Sequence, residues 1–129
     1  MTPNADLAVI EAEALVRAFL SAMEARDLAR AQTMLAPGFQ MVFPGPVQFT
    51  SLQALIDWSR SRYRSVRKRF TGFDAAGSVV YCRGTLSGEW PDGTGFDGIR
   101  FVDRFELAGG LLLRQDVWND LAEHRERGR

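Results

Sequence analysis

The chain has 129 residues, the length of one domain, and at that size folding removes roughly 68% of the surface an unfolded chain exposes, enough for a proper core. Its 16 basic residues balance 16 acidic ones, which argues against a general polyanion binder and against an acidic, disordered chain. The lone Cys82 cannot close an internal disulfide, and no apolar run approaches the roughly 20 residues of a membrane span. The opening MTPNADLAVIEAEALV is acidic and lacks a cleavage pattern, so the expected location is cytoplasmic.

In DLAVIEAEALVRAFLSAMEARD the apolar residues Val9, Ala12, Val16, Phe19, Leu20 and Met23 fall on one helical stripe. Asp27 can cap a second, short helix, LARAQTML, which Pro37 and Gly38 are expected to stop. FQMVF alternates as a strand and PGP ends it. Thr50 and Gln53 have capping-box spacing, which predicts a third helix through about Lys68 with Leu52, Leu55, Ile56, Tyr63 and Val66 on its inner side. After Phe70 the period changes to two. Strands are expected near 70–74, 78–90, 96–107 and 111–120, separated by DAAG, PDGTG and AGG, and the LAEHRERGR end reads as a polar tail over 120–129. Helices followed by an antiparallel meander predict a single α+β domain over 1–129, with helices covering one face of a curved sheet.

Within the strand IRFVDRFEL, Ile99, Phe101, Phe105 and Leu107 point to one face, and Asp103 falls in the middle of that apolar face. Desolvation there is expected to raise its pKa, leaving a neutral acid able to donate a hydrogen bond or a proton. The plain structural alternative is a buried Asp that bonds a neighbouring polar side chain and fixes strand register.

The order helix, short helix, strand, helix and long hairpin strands, with AMEARDLARAQTMLAPGFQMVFPG and VDRFELAGGLLLRQDVWND as local matches, resembles the nuclear transport factor 2-like superfamily, in particular its SnoaL-like branch. The resemblance implies a cone-shaped, cystatin-like fold, a mainly antiparallel sheet wrapped around the long first helix with a pocket inside the cone. It covers isomerases, epoxide hydrolases, cyclases, dehydratases and domains that only bind, so fold alone does not choose a chemistry. In the ketosteroid isomerase pattern the general base falls on Phe43, the oxyanion tyrosine on Phe19 and the second oxyanion donor on Asp103, which leaves one of three functional groups. In the SnoaL-like cyclase pattern, a histidine on the fifth strand and an aspartate on the last fall on Asp103 and Val117. A one-residue slip of the AGG hairpin would turn Asp116 inward instead; the preferred register keeps Gln115, Val117 and Asn119 inside and Arg114, Asp116, Trp118 and Asp120 on the convex face.

The expected pocket is walled by Phe19, Phe43, Trp58, Tyr63, Leu86, Phe101 and Val117, with Asp103, Gln115 and Asn119 as its polar groups. Asp103 is the candidate catalytic acid or oxyanion donor, and a small hydrophobic carbonyl compound is the expected ligand. A cofactor-independent isomerase, dehydratase or cyclase and a non-catalytic binding domain both remain open. No cofactor is expected, and no carboxylates stand at metal-ligand spacing beside the lone His124. Arg60, Arg62, Arg64, Arg67, Lys68 and Arg69 read as a solvated helix face near a helix C-terminus rather than as a nucleic-acid surface. Cys82 has core parity. The convex sheet face, carrying Tyr81, Val102 and Trp118 among arginines and acids, is where the resemblance implies a homodimer.

Overall fold

The computed structural model describes residues 3–127, with side chains from Ala8 onward. The long helix α1 spans Pro3–Glu24 and buries Ala12, Val16, Phe19, Leu20 and Met23, the stripe that its sequence sets at helical spacing. Arg26 then takes a left-handed φ of 61°, its N–H bonding Met23 O while Asp27 N–H reaches Ala22 O. That pair of bonds is the Schellman closure usually given to glycine. Asp27 also caps α2 (Leu28–Gln32), its carboxylate accepting from Arg30 N, so one residue ends a helix and starts the next.

α2 stops earlier than expected, because Leu35 already belongs to strand β1 (Leu35–Phe43). Pro37 and Gly38 lie inside that strand, at a register shift between Leu35 and Gln40 where Gly38 adopts a φ of 81°. They mark a bulge rather than a helix stop. PGP turns the chain into a three-residue strand, β2 (Val47–Phe49), too short for alternation to reveal. Helix α3 (Leu52–Ser59) is capped by Ser51, one residue later than expected, and Gln53 bonds Asp57 instead of closing a box.

The largest departure follows. Helix α3 ends at Ser59, and Ser65–Ala76 is strand β3. The basic stretch therefore forms no helix face: Arg67 and Arg69 are exposed, while Val66, Lys68 and Phe70 turn inward. β4 (Val79–Glu89), β5 (Gly95–Ala108) and β6 (Leu111–Asn119) follow the expected meander. Residues 121–127, expected as tail, form helix α4 (Leu121–Arg127), whose Leu121 is buried. A polar helix that buries one residue carries almost no periodic signal.

The six strands run in the order β2-β1-β6-β5-β4-β3, antiparallel except for β1 beside β6. Phe19 packs edge-on against Phe39 and Phe105 at 6.0 Å each, which joins α1 to the concave side of the sheet. Full burial of side chains such as Phe19, Phe105 and Met41 contributes about 1.5–3 kcal/mol apiece. Two glycines let β3 fold tightly over β4. A Cβ on Gly84 would lie 1.8 Å from Arg69 O, and one on Gly88 would lie 2.1 Å from Ser65 O. Among the described residues no helix is long and apolar enough to cross a membrane.

Candidate functional site

Between α1, α3 and the concave sheet lies a cavity of about 90 Å³ that opens at one end of the cone. Phe19, Leu20 and Met23 come from α1, Trp58 from α3, Leu86 from β4, Val117 from β6 and Leu121 from α4. Phe43 and Trp58 meet at 5.9 Å, and Phe49 of β2 stacks on Trp58 at 5.2 Å, so the short hairpin buttresses one wall. Leu121 also lines the cavity, at the start of α4, where Asn119 Oδ1 accepts from Leu121 N.

The structure brings Phe19, Phe43, Trp58, Tyr63, Leu86, Gln115, Val117 and Asn119 onto this one lining. Val117 pairs with Asp103, and Asp116 pairs with Arg104 across the β5–β6 ladder. Asp116 thus points to the convex side, held by both oxygens against Arg114 at 3.0–3.1 Å and by Arg104 at 3.5 Å. The slipped register is not adopted.

Two expected lining residues stand elsewhere. Phe101 and Asp103 are buried but form no part of the cavity wall. The reason is Lys68. Its side chain lines the cavity, donates to Asp103 Oδ2 in a buried ion pair, and lies 4.9 Å from the centre of the Phe101 ring. Lys68 is on β3 and Asp103 on β5, with β4 between them. Gly84 pairs with both Phe70 and Phe101, and without a side chain there the lysine stem can cross β4.

Asp103 is fully buried, and burial pushes its pKa up against the pull of Lys68, whose charge and hydrogen bond both lower it. The Gln115 amide adds a smaller pull in the same direction without reaching hydrogen-bond geometry at the second oxygen, since Asp103 Oδ1 has no partner among the described residues. Beside Asp103 on β4, the buried Cys82 thiol is pushed up to about 12, first by burial and then by the Asp103 charge. It is not a nucleophile at neutral pH. Among the described residues no cluster of His, Cys, Asp and Glu could hold a metal ion.

Lys68 was hidden by its neighbours. In VRKRF the cations suggest a solvated helix, yet Val66, Lys68 and Phe70 share the parity of an inward strand face. Arg62, also on the cavity lining, was masked in the same way.

The SnoaL-like domain family matches residues 16–115, and the chain belongs to that family. No curated protein matches significantly. Among solved structures, TerC co-crystallised with polyporic acid is 17% identical, with a TM-score of 0.78 over 90% of this chain and 96% of that one. A protein of unknown function with a nuclear transport factor 2-like fold from Burkholderia pseudomallei K96243 is 19% identical, with a TM-score of 0.77 over 90% of this chain and 95% of its own. A candidate SnoaL-like polyketide cyclase from Jannaschia sp. CCS1 is 17% identical, with a TM-score of 0.74 and 90% of each chain covered. At these identities the likeness establishes the fold, which is α+β with a curved six-stranded sheet.

Proposed function

We propose that this chain is a small-molecule pocket protein acting as a cofactor-independent isomerase, dehydratase or cyclase on a small hydrophobic carbonyl compound. The observation that carries the reading is Lys68 on the lining of an apolar cavity, paired behind the wall with Asp103, one of whose carboxyl oxygens has no partner among the described residues. Lys68, on the lining, offers its ammonium group to the carbonyl oxygen of a ligand in the cavity, and a cation in a water-poor site stabilises the negative charge that develops on that oxygen during enolisation, dehydration or aldol-type closure. Asp103 acts one step behind. It holds the ammonium in place so that Lys68 stays charged through the step, while the proton leaving the ligand's carbon passes to solvent base entering at the open end of the cavity. Phe19, Phe43, Trp58, Tyr63, Leu86 and Val117 supply the apolar wall, and Gln115 orients the ligand. Asn119 Oδ1 accepts from Leu121 N, which leaves the Nδ2–H donors to orient a ligand beside Gln115. TerC, which shares this fold, is co-crystallised with polyporic acid, and that supports reading the cavity as a small-molecule site.

The test is exchange of the C1 protons of 2-tetralone in D2O, followed by NMR. The wild type is expected to accelerate exchange over buffer, and Lys68→Met to lose about 10²–10³-fold of that acceleration, the usual cost of removing an oxyanion donor. Binding without chemistry is the second reading, favoured by the absence of Asp103 from the cavity wall. It predicts that 2-tetralone binds while exchange stays at the buffer rate, and that outcome would sink the catalytic proposal.

We also propose self-association through the convex face, where Trp118 is 54% exposed, pairs across the ladder with exposed Val102, and shares the face with exposed Tyr81. Aromatic residues beside arginines suit a wet, polar interface. Sedimentation at micromolar concentration is expected to give a dimer for the wild type and a monomer for Trp118→Arg; a monomeric wild type would contradict it.

A further inference from the structure

The mouth of the cavity is unlike its interior. Arg62 lines it half-buried, its guanidinium 4.5 Å from the centre of the Trp58 ring, and among the described residues no carboxylate or carbonyl bonds it. Burial lowers the Arg62 pKa, the mark of a guanidinium that has lost part of its water without gaining a full counter-charge. Arg26 stands on the same lining, and Glu24 is the one acid beside them there. Arg125 and Glu123 also face Arg62 from α4, with opposing electrostatic effects. A planar cation stacked on an aromatic ring and presenting free N–H donors is a preorganised seat for a carboxylate.

We propose that the ligand is an amphipathic acid, its apolar body in the cup with a carbonyl or enolate oxygen toward Lys68, and its carboxylate emerging at the mouth onto Arg62. This rests on the pocket reading above and adds the substrate class. The cavity itself is smaller than the roughly 150 Å³ that holds a benzene, so a larger ligand must extend through the opening, past Trp58 and Arg62. A neutral ligand of the same shape would leave the half-desolvated guanidinium without a partner. Arg62 is therefore the specificity-determining residue for the acid group.

The experiment compares the binding of 6-hydroxy-2-naphthoate and 2-naphthol by calorimetry. The first carries the carboxylate at the end opposite its hydroxyl; the second lacks it. The wild type is expected to bind the acid about 10-fold more tightly or better, as for a charge-assisted hydrogen bond. Arg62→Gln removes that advantage, read as the ratio of the two affinities so that any change common to both compounds cancels, while Arg62→Lys retains part of it. Equal affinities in the wild type, or an advantage that survives Arg62→Gln, overturn the assignment while the pocket reading stands on 2-naphthol binding. If neither compound binds, both fail.

Discussion

Lys68→Met is expected to destabilise the fold by about 3–5 kcal/mol at neutral pH, the usual cost of removing one member of a buried ion pair. Among the described residues Lys68 is the one hydrogen-bond partner of the Asp103 carboxyl, and its side chain is 18% exposed against 0% for Asp103. The loss should depend on pH. Burial already raises Asp103 above its ordinary 3.8, and both effects of Lys68 oppose that rise. Removing Lys68 therefore lifts the folded-state value further. A carboxyl that binds its proton more tightly when folded gives its full contribution below about pH 4, where both states are protonated, and loses it as pH rises through the folded-state value. Urea unfolding is thus expected to show Lys68→Met closest to wild type at acid pH and furthest from it at neutral pH. Lys68→Met combined with Asp103→Leu should recover most of the stability, because apolar replacement of the whole pair leaves no orphaned charge. A single variant with wild-type stability at pH 7 would show that the pair is solvated.

Gly84→Ala is expected to cost at least the upper end of about 1–3 kcal/mol, the range for overpacking a tight site. Its new methyl would sit 1.8 Å from a backbone carbonyl, that of Arg69, and no rotamer change can move a main chain. β3 would have to withdraw from β4, carrying Lys68 away from Asp103. Amide exchange should then lose protection along β3, and 2-tetralone exchange should fall with it. Gly95→Ala is the control, since the nearest atom to its Cβ lies 3.7 Å away and its φ is not positive, and stability should barely change. Equal effects at the two positions would rule out steric approach at Gly84 as the cause.

The parts of the fold that repeat a period were legible. Helix α1 shows its stripe over about four turns, and β4, β5 and β6 alternate between glycine-rich turns, which placed Asp103 opposite Val117 and kept Asp116 outside. What failed to show were elements that bury very little. β2 has three residues, and α4 buries only Leu121. β3 failed for another reason: four of its first six residues are polar, and Lys68 occupies an inward position that apolar counting assigns to a hydrophobe. An ion pair spanning three strands is a tertiary fact. The sequence places Asp103 on the apolar face, but only the close approach of β3 to β4 at Gly84 brings Lys68 near it, and that approach has no local periodicity.

The most direct measurement is the pH titration of the Asp103 carboxyl, followed by its ¹³Cγ shift in protein labelled at aspartate. Held against Lys68 in a dry site, this carboxyl is expected to titrate above 3.8 in the wild type and higher still in Lys68→Met. A midpoint at the ordinary value in both proteins would mean that water reaches Asp103, and the buried pair on which the proposed function rests would not exist.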